Sequence, residues 1–115
     1  MTAYALAYMR PQPPLHDDVF TYIERIQDTM DPFGGRFLVH NTQAEVLEGP
    51  FEGAYVLIEF PDMEQARAWY ASDAYQEILP MRTDHIEGTT VLLRGVPDGY
   101  DPTATAKAMR EAQNA

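Results

Sequence analysis

The chain has 115 residues, of which 45% are hydrophobic and 11% aromatic, and it contains no cysteine. These values predict one globular domain and exclude disulfides, thiol catalysis and thiolate metal sites. Eight basic and 18 acidic residues give a net charge of −10, so we expect neither nucleic acid nor an anionic membrane as a partner. Because no apolar run approaches the ~20 residues of a membrane span and the N-terminal residues resemble a strand more than a signal peptide, we expect a cytoplasmic protein.

The first elements along the chain are predicted to be a strand and a helix. Residues 3–10 alternate bulky with small side chains, which is the period-two pattern of a strand. His16, followed by two aspartates, suits the start of a helix. The apolar stripe of this helix consists of Val19, Ile23, Ile26 and Met30. Asp31 and Pro32 should end it.

Two further strands are predicted over residues 36–40 and 54–60, the first of them after the Gly34-Gly35 turn. Residues 44–48 are expected to be extended as well, before a connection through Gly49 and Gly53. The run at 54–60 is apolar on both faces and carries a single charge, so it predicts an internal strand of the sheet.

The rest of the chain predicts two helices, a last strand and a tail. A capping box begins at Asp62, and Ser72 caps a further helix that Pro80 should kink or end. The last strand is predicted over 89–94. The alanine-rich residues 96–115 favour a helix but contain few large apolar side chains. We therefore expect this tail to pack on a partner subunit or on the helical layer.

The order β-α-β-β-α-β predicts an α+β, ferredoxin-like fold, in which a four-stranded antiparallel sheet carries helices on one face. Residues 1–95 would form this domain, and residues 96–115 a partly helical C-terminal tail. The opposite face of the sheet would present side chains such as Leu38 and Leu57, and such a face is too apolar for open solvent. We therefore expect a homodimer that covers it.

Five segments, which follow one another along the chain, resemble those of a known family. They are Gly34-Gly35-Arg36-Phe37-Leu38, Glu48-Gly49, Ile58-Glu59-Phe60-Pro61, the stretch from Ala68 to Gln76, and Pro80-x-Arg82. In this order they resemble a small bacterial family of domains of unknown function in the dimeric α/β barrel superfamily, over about residues 4–95. The resemblance implies a ferredoxin-like subunit, a homodimer built by facing sheets, and a cleft between sheet and helices. The superfamily includes cofactor-free monooxygenases, lactone isomerases, haem-degrading enzymes and amino-acid-binding modules, and the fold alone does not distinguish among them.

Two arginines are candidates for binding an acidic ligand. Arg36 begins the second strand, and Arg82 lies on an apolar helix face. A permanently charged guanidinium in such surroundings prefers a carboxylate partner. The candidate aromatic walls of the same cleft are Trp69, Tyr70 and Tyr75. The alternative is an internal ion pair, most simply with Glu59, or a contact at a helix end.

Glu59 and His40 are the candidate catalytic residues. Glu59 lies in an apolar run and is a candidate general base, although a carboxylate near a strand end in this fold more often holds an arginine or a dimer contact. His40 ends the second strand and is a candidate for proton transfer, or else a turn residue. His16 and His85 show no short metal-ligand spacing, so we expect no metal. We expect no cofactor, because the glycine pair lacks the spacing of a nucleotide-binding loop.

Three hypotheses about function follow from these residues. The leading one is a homodimer that binds a small organic acid in the cleft, through Arg36 or Arg82. A second is a cofactor-independent monooxygenase or isomerase, in which Glu59 or His40 moves a proton, so whether the chain is an enzyme stays open. A third is a purely structural dimer whose cleft is filled by its own side chains. A cavity with converging polar groups would separate the first two hypotheses from the third.

Overall fold

The computed structural model describes all 115 residues. The helices and strands are β1 (Ala3–Arg10), α1 (Asp17–Met30), β2 (Arg36–Val39), β3 (Ala54–Phe60), α2 (Met63–Ala71), α3 (Asp73–Thr83), β4 (Glu87–Arg94) and α4 (Pro102–Gln113). The strands pair antiparallel in the order β2-β3-β1-β4. The predicted ferredoxin-like fold is therefore confirmed, with β3 internal and with β2 and β4 at the edges.

Strand β1 lies inside the sheet and separates its side chains by size. The side chains on its helix-facing side are buried, and they are Ala3, Ala5, Ala7 and Met9. The bulky side chains alternate with them and point to the opposite side. Together with their cross-strand neighbours they form a surface that we call the open face, which consists of Tyr4, Leu6, Tyr8, Leu38, Tyr55, Leu57, Val91 and Leu93. Helices α1, α2 and α3 pack on the alanine side.

The core between sheet and helices is centred on Trp69 of α2, whose side chain is fully buried. Its ring packs against Phe60 at a centroid distance of 5.2 Å and against Tyr75 at 4.2 Å. Its indole N–H donates a 3.0 Å hydrogen bond to Thr29 Oγ1, which in turn donates to the carbonyl of Ile26. The one polar atom of this large side chain is thus satisfied inside the core, as burial of an indole requires.

Three local expectations differ from the structure. Residues 44–48 form no strand, because the pairing of β2 with β3 ends at Val39 after a register shift and these residues have no neighbouring strand. Strand β4 begins at Glu87, two residues before its predicted start. Helix α3 continues through Pro80 to Thr83, since proline removes only its own N–H and the last turn closes through the Asp84 N–H on the Pro80 carbonyl.

The C-terminal tail forms the expected helix, α4, which begins after the capping residue Asp101. Every residue of this helix is exposed except the half-buried Thr105. The tail therefore does not pack on the helical layer of its own chain, and its packing on a partner subunit stays a prediction. None of the four helices combines the length and the apolar character that crossing a membrane requires.

The single chain exposes more surface than a folded monomer of its mass. A 13.0 kDa monomer exposes about 6,300 Å², whereas this chain exposes 8161 Å². Its radius of gyration is 16.8 Å, compared with about 13 Å for a compact domain of this length. The excess exposed area lies in the open face, the loop after β2 and the tail, which carry most of the exposed large hydrophobic side chains.

The Trp69–Thr29 hydrogen bond predicts a specific loss of stability. Thr29→Val keeps the shape of the side chain but leaves the buried indole N–H without an acceptor, which costs about 1–3 kcal/mol of unfolding free energy. Thr83→Val is the matched control, because the Thr83 hydroxyl makes the same kind of bond to a backbone carbonyl but is exposed. Urea unfolding measures the free energy of unfolding of both variants. If Thr29→Val were as stable as Thr83→Val, the Trp69–Thr29 hydrogen bond would not contribute the predicted stability.

Candidate functional site

An apolar cavity of about 120 Å³ lies between the sheet and the helices. Thirteen of its 16 lining residues are hydrophobic, so most of its wall suits an apolar molecule. The alanines of β1 are the reason for the space: Ala5 and Ala7 lie beneath α1 and α3, where any larger side chain would occupy the cavity. The other three lining residues are His40, Arg82 and Thr90, and two of the hydrophobic ones, Tyr22 and Tyr75, add hydroxyl groups.

Arg82 is the charged group of the cavity. It lies in the last turn of α3 and is only 9% exposed. Its Nε donates to Tyr22 Oη at 3.3 Å, its Nη2 donates to Tyr75 Oη at 3.5 Å, and its Nη1 contacts Met9 Sδ at 3.6 Å. No carboxylate pairs with it, since the ion pairs of the structure all involve other residues. We call Arg82, Tyr22 and Tyr75 the Arg82 cluster.

The Arg82 cluster has hydrogen-bonding capacity to spare. A guanidinium carries five N–H donors, and the three contacts of Arg82 leave one further N–H on Nη1 and one on Nη2. The hydroxyls of Tyr22 and Tyr75 are 2.7 Å apart, so one of them donates to the other. The second hydroxyl hydrogen then remains available. The cluster therefore offers donors, and no negative charge, to whatever occupies the cavity.

The protonation states of the cluster follow from its burial. Burial disfavours the phenolate and, together with the nearby Tyr75 hydroxyl, raises the pKa of Tyr22 far above its ordinary value. Burial alone would lower the pKa of Arg82, but the neighbouring tyrosine hydroxyls outweigh it and the net direction is upward. At neutral pH Arg82 is therefore a cation beside a neutral phenol.

His40 lies at the border of the cavity, in the loop that follows β2. Its ring stacks on Phe37 at a centroid distance of 4.6 Å. It lines both the cavity and an adjoining outer groove, and the two spaces also share Ile23 and Val56. His40 is thus a polar side chain common to the cavity and the outer groove.

Arg36 and Glu59 lie on the other side of the sheet. The Arg36 Nη2 is 2.9 Å from Glu59 Oε1, so the predicted proximity of the two residues is confirmed. Glu59 alternates along β3 with Ile58 and Phe60, which face the helices, and its side chain therefore points away from the cavity. The side chain of Arg36 is 68% exposed and that of Glu59 29% exposed, so within one chain the pair is not buried.

The aromatic candidates separate into lining and supporting residues. Trp69 and Tyr75 line the cavity, whereas Tyr70 does not. Tyr70, on α2, is 38% exposed and supports the lining residue Tyr75, because the two rings lie 5.5 Å apart. Tyr22 was not among the residues predicted from the sequence, although it lies on the apolar stripe of α1, three residues after Val19. A hydroxyl-bearing side chain in that stripe was the available signal.

The buried phenol of Tyr22 predicts a loss of stability at high pH. The unfolded chain releases the Tyr22 proton near the ordinary value of about 10, whereas the folded chain retains it. This contribution to stability is therefore complete below about pH 10 and falls above it, by at most about 1.4 kcal/mol per pH unit for one proton. Tyr22→Phe should flatten the decline, as measured by thermal unfolding between about pH 8 and pH 11. Tyr70→Phe, which removes the hydroxyl of a 38% exposed tyrosine on α2, away from the open face, should leave it unchanged.

Several solved structures are similar to this chain. A protein of unknown function from Rhodopseudomonas palustris is 15% identical, with a TM-score of 0.63 over 84% of this chain and 83% of that one. A dimeric ferredoxin-like protein of unknown function from Thermobifida fusca is 15% identical, with a TM-score of 0.56 over 83% and 92% of the two chains. SnoaB, a cofactor-independent oxygenase from Streptomyces nogalater, is 14% identical, with a TM-score of 0.52 over 87% and 96%. At these identities the similarity shows the fold alone.

No curated protein matches the chain at a significant level. A family match, in contrast, covers most of the sequence and ends just after β4, before the tail. Residues 2–96 match the family described as Domain of unknown function (DUF1330), and the chain therefore belongs to that family.

Proposed function

We propose that the chain is a homodimer that binds a small organic acid in the cavity, with Arg82 as the partner of the carboxylate. The observation that carries this proposal is a buried guanidinium without an acidic partner, at the polar end of an apolar cavity. The chain has 18 acidic residues, yet none of them pairs with Arg82. This arrangement leaves the site ready for an anion.

The electrostatics support an anionic ligand. A buried charge that lacks a counter-charge costs free energy, which hydroxyl dipoles offset only in part. A carboxylate would restore the balance and accept the two spare N–H groups of Arg82 in the paired geometry that guanidinium and carboxylate prefer. The guanidinium carbon lies 5.6 Å from the centroid of the Tyr22 ring, within the range of a cation–π contact.

The size of the cavity limits the ligand. An apolar cavity of about 150 Å³ holds one benzene molecule, so a space of about 120 Å³ suits a branched aliphatic group or a single small ring. The adjoining outer groove offers room for a longer substituent beyond His40. We therefore propose an acid whose body is a short branched chain or one ring, with its carboxylate at Arg82.

The open face supports the homodimer. It is an apolar surface on one side of the sheet, and the exposed area of the chain exceeds that of a compact monomer by more than the ~800 Å² that one partner buries in a standard interface, so a dimer contact on this face would account for part of the excess. The Thermobifida fusca neighbour and a second neighbour from Jannaschia are both described as dimeric ferredoxin-like proteins. A partner on this face would also cover the Arg36–Glu59 pair.

An enzymatic role is the second proposal, and the position of His40 favours it. Of the two candidate catalytic residues, only His40 lines the cavity. It is therefore the side chain that would accept a proton from a bound acid and return it. Glu59 would act in the dimer contact instead. Turnover of a bound ligand distinguishes this proposal from simple binding.

The third hypothesis, a structural dimer with a filled cleft, is disfavoured by the cavity and the spare donors of Arg82.

Removal of the Arg82 charge tests the binding site. Arg82→Met should weaken binding of benzoate and 3-methylbutanoate by about tenfold or more, because a charge-assisted hydrogen bond contributes about 1.5–3 kcal/mol. The unfolding free energy should stay equal or rise, since an unpaired buried charge is replaced by an apolar chain. Isothermal titration calorimetry and urea unfolding measure the two effects.

Arg36→Met is the matched control for this experiment. It removes one guanidinium and changes the net charge equally, but it acts on the open face, away from the cavity. Its binding of both acids should match that of the native chain. Two results would show that Arg82 is not the ligand's partner. One is that the native chain binds neither benzoate, nor 3-methylbutanoate, nor a larger acid, and the other is that Arg82→Met and Arg36→Met bind these acids equally well.

A charge on the open face tests the dimer. Leu93→Glu should shift the protein from twice the chain mass of 13.0 kDa toward the monomer, because it places a carboxylate in an apolar interface. Phe20→Glu is the control, since Phe20 is similarly exposed but lies on α1. Light scattering coupled to size exclusion measures both masses at micromolar concentration. A native chain that runs as a monomer would refute the homodimer.

A further inference from the structure

A cluster of two histidines and one aspartate lies outside the cavity lining, where the start of α1 meets the end of α3. His16 caps the start of α1, Asp18 lies in its first turn, and His85 follows α3. We call these residues the His16 trio. One potential ligand atom from each lies within 4.8 Å of those of the other two. We propose that the trio binds a divalent cation of the zinc type, which would link the start of α1 to the end of α3.

The distances within the His16 trio suit such an ion. Asp18 Oδ2 is 3.2 Å from His85 Nε2 and 3.6 Å from His16 Nδ1. Ligand atoms that bind tetrahedral Zn²⁺ at about 2.0–2.1 Å lie about 3.3 Å from one another. The distance between the ligand atoms of Asp18 and His85 is therefore close to its zinc-bound value before any ion binds, whereas the distance from Asp18 to His16 changes when the His16 ring reorients.

The chemistry of the three donors also fits. Imidazole nitrogen and a carboxylate oxygen are ligands that zinc prefers, and three protein ligands leave one position for water or another molecule. The chain's net charge of −10 raises the local concentration of cations. The start of a helix disfavours a cation, but the carboxylates of Asp17 and Asp18 in the same turn offset that effect.

Coordination requires one local rearrangement. The two imidazole rings are stacked, with centroids 3.9 Å apart and planes at 8°, whereas a shared ion must lie in the plane of both rings. The His16 side chain, 54% exposed, is free to rotate about its Cβ–Cγ bond. It gives up its hydrogen bond from the Asp18 backbone N–H in exchange for the ion. His85, packed at the end of α3, keeps its place.

The expectation of no metal rested on the absence of histidines at short spacing. That criterion does not detect the His16 trio, because Asp18 and His85 are 67 positions apart in the sequence. The two segments meet where α1 packs along α3, a contact that the Arg25–Glu77 ion pair also spans at 3.7 Å. The same two helices carry Tyr22, Tyr75 and Arg82, so an ion at the trio would restrain the elements that hold the cavity's polar end.

Titration of the chelator-treated full chain with ZnCl₂ tests the proposal. Isothermal titration calorimetry should show one saturable Zn²⁺ site per chain, and thermal unfolding should shift upward as zinc is added, because the ion binds only the folded trio. Asp18→Asn and His85→Gln should each weaken binding by roughly tenfold or more, since even outer partners of a metal contribute that much.

Asp28→Asn is the control, because Asp28 is an exposed aspartate on the same helix. It removes the same charge without touching the trio and should bind zinc as the native chain does. Circular dichroism confirms that the variants fold. Native-like zinc binding by Asp18→Asn and His85→Gln would overturn the proposal, and so would the absence of a saturable site in the native chain. Both results are independent of whether the cavity binds an acid.

Discussion

The size alternation along β1 is the constraint on which both faces of the sheet depend. Because successive side chains of a strand point to opposite sides, the alanines all face the helices while the tyrosines and Leu6 all face outward. On the helix side, the missing volume becomes the cavity. On the other side, the large side chains become the apolar open face. A one-residue change of register in this strand would exchange the two surfaces and remove both features.

The two arginines of interest illustrate opposite electrostatic situations. Arg36 has a carboxylate partner on a surface exposed to solvent in the single chain, where such a pair contributes about 0–1 kcal/mol. Arg82 has no carboxylate, is nearly buried, and depends on two phenol hydroxyls and a thioether. A protein selected for stability alone would place an apolar residue at position 82. The energetic cost of the Arg82 position is therefore the strongest physical indication that the cavity has a use.

Helices α1 and α3 connect the features of the helical side. Their inner sides contribute Tyr22, Tyr75 and Arg82 to the cavity, and their ends contribute the His16 trio. Any molecule that binds at one place and restrains the spacing of the two helices changes the free energy of binding at the other, and the effect is reciprocal. The open face lies on the far side of the sheet, so the proposed dimer contact and the proposed ligand site use separate surfaces of the same strands.

The sequence by itself determined the order of the elements, the internal position of β3 and the face on which the helices pack, because period-two and helical patterns are local properties of the chain. It also indicated Arg82, Trp69 and Tyr75, since a charge or a large ring on an apolar helix face is visible without coordinates. Only the tertiary structure decided that Arg36 and Glu59 face away from the cavity, that Tyr22 completes the Arg82 cluster, that 44–48 finds no strand to pair with, and that His16 meets His85. The physical reason is the same in each case. Register and helix packing set the distances between residues far apart in sequence, and they depend on side chains from several elements at once.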